Sequence, residues 1–114
     1  MVSVIIERHC KPGKTADLEK CISDLRMEAI PMRGFSSGQT LQSVDDPNFF
    51  LVVSTWMSRD LWDTWYGSPA RHKIFKQINA LLISPEKVTV FNFLAFTGAT
   101  QPVLPYRALR YTSK

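Results

Sequence analysis

Residues 46–70 read DPNFFLVVSTWMSRDLWDTWYGSPA, and the way this stretch divides decides the fold. Asp46-Pro47-Asn48 is a turn, because proline presets φ and the short polar side chains bond their own backbone. Phe49 to Trp56 is a run of aromatic and β-branched residues, the most strand-like part of the chain. Ser58 caps a short helix through Leu61, Trp62 and Trp65 to Tyr66, and Gly67 stops it. Ser68-Pro69 then supplies a new cap with proline at the first helical position. A second piece follows, with Ile74, Phe75, Ile78, Leu81 and Leu82 on one face. The helix is therefore expected in two parts.

Working outward, Gly34 to Val44 alternates as a strand, with Gly38 as an expected bulge, and pairs with Phe49 to Trp56 as a hairpin. Val2 to His9 alternates as the first strand, followed by a Lys11-Pro12-Gly13-Lys14 turn. From Thr15 as cap, Leu18, Cys21, Ile22, Leu25 and Ala29 recur at helical spacing until Pro31. Pro85 is expected to end the last helix, and Lys87 to Phe96 alternates again. The order is βαββαβ, an α+β, ferredoxin-like arrangement: a four-stranded antiparallel sheet with both helices on one face. The last strand carries apolar residues on both faces, so the uncovered face calls for a partner, most economically a second copy of the chain.

The chain has 114 residues, 45% hydrophobic and 21% charged, enough for one domain with a real core and too few for two. Of the 14 Lys and Arg, Arg107, Arg110 and Lys114 lie in residues 95–114, while all 10 acidic residues lie before them. Residues 1–94 thus form a nearly neutral domain. Residues 95–114 read as an extended basic arm laid across the dimer partner. No basic stripe marks the domain, which argues against nucleic acid. No apolar stretch is long enough to span a membrane, and no export signal opens the chain, so a cytoplasmic protein with reduced Cys10 and Cys21 is expected. The scattered Cys10, Cys21, His9 and His72 fit no zinc spacing, so no metal site is expected.

Several quoted features carry a likeness: Glu7-Arg8 closing the first strand, the Lys11-Pro12-Gly13 turn and the Asp46-Pro47 hairpin. With them go Trp56-Met57-Ser58-Arg59-Asp60, Trp65-Tyr66-Gly67-Ser68-Pro69-Ala70 and a closing Leu81-Leu82. In order and spacing these resemble the antibiotic-biosynthesis monooxygenase domain family. The resemblance implies a dimeric α+β barrel, with sheets packed face to face and a small-molecule cavity between sheet and helices. It implies three kinds of chemistry: cofactor-independent oxygenation of aromatic molecules, quinol oxygenation, and haem degradation. The haem-degrading branch uses an asparagine, a tryptophan and an axial histidine, whose positions fall here on Glu7, Trp65 and Phe75. Only the tryptophan is matched, so haem needs a different geometry, and no cofactor is the expectation.

The family register would turn Ser3, Ile5, Glu7 and His9 toward the helices. That would set Glu7 in or beside the cavity as a general base for a phenol or hydroquinone. The same glutamate has a plainer reading as a charge paired with Arg8 or Lys11. Trp56, Trp62, Trp65, Tyr66 and Phe75 either stack against a flat aromatic ligand or simply fill the core. Arg71 either reaches an anionic group of the substrate or snorkels to water. His72 and His9 are acid–base candidates by residue type, without a visible orienting partner. The functions that stay open are a cofactor-independent monooxygenase acting on a phenolic or quinol-like molecule through Glu7, Trp65 and His72, a non-catalytic small-molecule-binding or stress-associated member of the same fold, and a haem-binding or haem-degrading enzyme with a non-standard ligand.

Overall fold

Alternation in the opening residues is realised as β1 (Val2–His9), and the other expected elements follow in order. They are α1 (Thr15–Ala29), β2 (Phe35–Gln42), β3 (Phe49–Trp56), α2 (Arg59–Tyr66), α3 (Pro69–Ala80) and β4 (Lys87–Asn92). The computed structural model describes residues 1–94. The expected arm, 95–114, and the last two residues of the expected fourth strand lie outside the described residues. The strands pair antiparallel in the order β2-β3-β1-β4, the ferredoxin-like arrangement.

Local chemistry explains the joints. The Asp46 side chain accepts the Asn48 N–H at 3.0 Å and its carbonyl accepts Phe49 N–H at 2.9 Å, closing the β2–β3 hairpin. Ser58 Oγ accepts Leu61 N–H and Ser68 Oγ accepts Arg71 N–H, each at 3.2 Å, so two serine caps divide the second helical region into α2 and α3. Gly34 holds φ +91°, and a Cβ there would lie 2.6 Å from Leu61 Cδ1. Both the turn and the close approach of α2 require glycine.

Val2, Val4 and Ile6 of β1 bury against Leu18, Ile22 and Leu25 of α1 and Ile78 of α3, with Phe50, Val52 and Trp56 from β3. Val4, Leu18 and Ile78 are wholly buried, each contributing about 1.5–3 kcal/mol of transfer free energy. The in-facing set of β1 is thus Val2, Val4, Ile6 and Arg8. This reverses the expectation that Ser3, Ile5, Glu7 and His9 face the helices. A strand's side chains alternate faces, and burying three branched aliphatics outweighs burying a serine, a glutamate and a histidine.

Other boundaries shift. Strand β2 starts at Phe35 and stops at Gln42, its irregularity falling between Phe35 and Ser37 rather than at Gly38. Helix α1 begins with Thr15 instead of being capped by it. Helix α3 ends at Ala80, well short of Pro85, because Leu82 pairs with Cys10 and Ile83 N–H bonds the His9 carbonyl at 2.9 Å, pulling the chain back toward β1.

The far face of the sheet carries Ile5, Leu51 and Val53, with Phe91 about half exposed, and no element covers it among the described residues. No helix among the described residues is long and apolar enough to cross a membrane.

Candidate functional site

Between the covered sheet face and the helices lies a cavity of about 40 Å³. Its walls include Trp56 and Ser54 from β3, Trp65 from α2, Arg8 from β1 and Arg71 from α3, with aliphatic residues of α1 behind. Since one water-sized group needs about 10–15 Å³, this space takes a few such groups, and a ring enters by displacing a wall side chain. A larger groove of about 300 Å³ runs outside, between α1 and β2, and Ile22 and Arg26 line both hollows. Arg26 donates to the Gly38 carbonyl at 3.0 Å and to Thr40 Oγ1 at 3.2 Å, and so stands between groove and cavity.

The aromatic wall is built around Trp56. Its indole N–H donates to Ser54 Oγ at 3.2 Å, a bond that turns the ring within the pocket. Trp65 stacks on it at 6.3 Å between centroids with planes 20° apart, Trp62 meets it edge-on at 5.7 Å, and Phe35 does so at 5.4 Å.

The polar wall is a buried charge cluster. Arg8 is 1% exposed, and its Nε donates to Glu86 Oε1 at 2.9 Å. Arg71 is 3% exposed, and its Nη2 donates to Glu86 Oε2 at 3.1 Å. Two guanidiniums against one carboxylate leave a net charge of +1. Arg8 Nη1 and Nη2 and Arg71 Nε have no hydrogen-bond partner among the described residues. Such orphaned buried donors are uncommon in folded proteins. Burial pushes the Arg8 guanidinium below its ordinary value, Glu86 pulls it back up and Arg71 lowers it slightly further; the group stays protonated. The Arg71 guanidinium lies over three rings: Tyr66 at 4.7 Å, Phe75 at 5.7 Å and Trp62 at 5.9 Å. These faces hold its charge where water does not reach.

The structure therefore sorts the expected residues into three places. Trp56, Trp65 and Arg71 line the cavity, and Arg71 does not snorkel to water. Trp62, Tyr66 and Phe75 stand behind, around the Arg71 guanidinium. Glu7, His9 and His72 lie elsewhere. Glu7 is on the far sheet face with Lys87 Nζ 4.0 Å from Oε2, His9 stacks on Phe49 there at 4.5 Å, and His72 is exposed on α3.

Arg8, Ser54 and Glu86 were not foreseen. For Arg8 a signal existed: it continues the phase of Val2, Val4 and Ile6. Glu86, in the link before β4, offered none.

Haem does not fit these residues. No histidine lines the cavity among the described residues, and the position implied for an axial ligand is Phe75, packed toward a guanidinium.

The sequence model of the family described as Antibiotic biosynthesis monooxygenase matches residues 1–77. No curated protein matches the sequence. Among solved structures, Streptomyces nogalater SnoaB, described as a cofactor-independent oxygenase, is 15% identical with TM-score 0.75, covering 86% of this chain and 98% of that one. Rv0793 from Mycobacterium tuberculosis is 24% identical with TM-score 0.76, covering 83% and 96%. A conserved protein from Methanosarcina mazei is 17% identical with TM-score 0.75, covering 79% and 89%. At these identities the likeness is one of fold.

Proposed function

The chain belongs to the antibiotic biosynthesis monooxygenase family, and from that premise we propose that it is a cofactor-independent monooxygenase of a small phenolic or quinol-like molecule held in the cavity. The observation that carries this reading is the meeting of an aromatic wall, Trp56 and Trp65, with a buried cluster of net positive charge.

A phenol with a free para C–H needs no cofactor as electron source: with one O₂ it yields a para-quinone and one water, and supplies all four electrons itself. The phenol first gives its proton to a water molecule, since no base lines the cavity among the described residues, and a proton returns when the peroxide forms. The phenolate then gives one electron to O₂, the two radicals join at the para carbon, and the resulting hydroperoxide expels water. The protein's part is the first step. A free phenol has a pKa of about 10, and a nearby cation lowers an acid by roughly 1–3 units. At pH 7 that raises the anion from about 0.1% to about 1–50% of the bound molecule. Arg71 Nε, unpartnered among the described residues, is the donor for the phenolate oxygen. Trp65 and Trp56 hold the ring, and Glu7, on the other sheet face, is given no step.

The same proposal takes the protein as a cytoplasmic homodimer joined through the open apolar sheet face. Free Cys10 and Cys21 suit a reducing compartment.

An oxygen electrode with a panel of phenols and 1-naphthols that keep a free para C–H tests the reading. Enzyme-dependent uptake is expected, lost in Trp65→Ala and retained in Glu7→Gln. Inactivity across the panel, or loss in Glu7→Gln, would refute it. A second reading, a non-catalytic binder, draws on one observation: among the described residues the titratable groups lining the cavity are Arg8, Arg26 and Arg71, none of them a base.

A further inference from the structure

We propose that the charged wall of the cavity is an anion-binding site, built by Arg8 and Arg71 around Glu86, and that its ligand is an aromatic carboxylate. The inference rests on the reading that this cavity is the ligand site, and it names the class of molecule that fills it.

The hydrogen-bond geometry leaves a vacant edge. Glu86 takes Arg8 through Nε, at 2.9 Å, and Arg71 through Nη2, at 3.1 Å, so both its oxygens are engaged. What remains of Arg8 is the Nη1 and Nη2 end of the guanidinium, buried and without a partner among the described residues. Those two nitrogens present parallel N–H groups at the spacing of a carboxylate's two oxygens, the bidentate match for which arginine is suited and lysine is not.

Charge counting selects the anion. Two guanidiniums and one carboxylate bury a net +1; Arg26 on the same cavity adds a further positive charge, but it is partly exposed in the outer groove, where solvent screens it. A buried unpaired charge is unfavourable. One monoanion neutralises the cluster, whereas a phosphate dianion would replace one excess charge with the opposite one. The neighbouring walls select the rest of the molecule. Trp56 and Trp65 flank Arg8 and Arg71 on the same cavity, so the group attached to the carboxylate meets indole faces. With Arg71 Nε also free among the described residues, the cluster has one two-oxygen address and one single-oxygen address. A hydroxylated aromatic acid uses both, its carboxylate on Arg8 and its hydroxyl, still protonated in the resting complex, on Arg71 Nε.

The test is calorimetric titration of the full chain at fixed ionic strength with 2-naphthoate, 2-naphthamide and inorganic phosphate. The amide keeps the ring and loses the charge. Naphthoate should bind wild type at least tenfold more tightly than the amide, and Arg8→Gln should reduce that preference below threefold. Arg8→Gln leaves Arg71 paired one-to-one with Glu86, so the fold keeps its charge balance; the wild-type ratio is decisive by itself if the variant misfolds. Equal affinities for acid and amide, or a preference that survives Arg8→Gln, would overturn the anion site while leaving an aromatic cavity. Phosphate binding more tightly than naphthoate would overturn the ligand class. Binding of neither naphthalene would overturn this inference together with the cavity reading. Tight naphthoate binding without oxygen uptake from any phenol would sustain the site and remove the oxygenase.

Discussion

Glu86→Gln should be among the most destabilising polar substitutions in this chain, and Arg8→Gln, its partner's replacement, markedly milder. Glu86 is the acid between two guanidiniums that are 1% and 3% exposed, and its own side chain is 5% exposed. Neutralising it leaves a buried net +2 where there was +1. Removing one partner of a buried ion pair costs about 3–5 kcal/mol. At this chain length each kcal/mol moves Tm by about 4–8 °C, so the melting point should fall by roughly 12 °C or more. Arg8→Gln breaks a charged hydrogen bond worth about 1.5–3 kcal/mol but leaves Arg71 and Glu86 as a neutral pair, so its net cost should stay below about 2 kcal/mol. Urea unfolding gives both numbers, provided the slopes agree with wild type. Asp24→Asn is the control: its pair with Lys20 is exposed, at 78% and 50%, and is worth no more than about 0.5 kcal/mol. The reasoning fails if Arg8→Gln costs as much as Glu86→Gln, or if Glu86→Gln falls within 1 kcal/mol of the control, since either result means that water reaches the cluster.

Gly34→Ala should destabilise more than Gly13→Ala. Both hold positive φ, 91° and 78°, but only Gly34 has a neighbour, Leu61, in the way of a Cβ. Left-handed strain alone costs about 1–3 kcal/mol, and equal losses in thermal melts would show that Leu61 moves aside freely. Burial raises the Cys10 thiol, with Asp17 adding to it, and likewise raises Cys21, with Asp24 the largest charge contribution. A thiol whose folded pKa exceeds its unfolded value favours the fold while protonated. Stability should therefore hold below about pH 8.5 and decline as pH rises through the raised values. Cys21→Ser should flatten that alkaline decline in urea midpoints taken at pH 7 and pH 10, and an unchanged slope would exclude the thiol as its source. Val53→Lys, on the open sheet face opposite Ile5, should leave the protein folded and monomeric in sedimentation velocity. A dimer that persists would place the interface elsewhere.

Period and punctuation are local properties, and those were legible in the residues alone. The alternation of Val2 to His9, the serine caps at Ser58 and Ser68, and the Asp46-Pro47 turn act within a few residues of themselves. They determined the element order and hence the ferredoxin-like fold. The faces were harder. In the first strand, alternation names two faces, one ending in Glu7 and His9 and the other in Arg8, without saying which meets the helices. That is settled by which side chains gain most from burial against α1 and α3. Aromatic residues were expected near the broken helix, yet a stretch of sequence cannot say which of them line a hollow and which support a guanidinium from behind. The charge cluster depended on tertiary structure altogether. Arg8 and Glu86 stand 78 residues apart, and Arg71 and Glu86 fifteen; no local pattern pairs them. Only the return of the chain from α3 to the end of β1 brings one carboxylate between two arginines in a buried site. There, low polarity turns an ordinary count of charges into a binding preference.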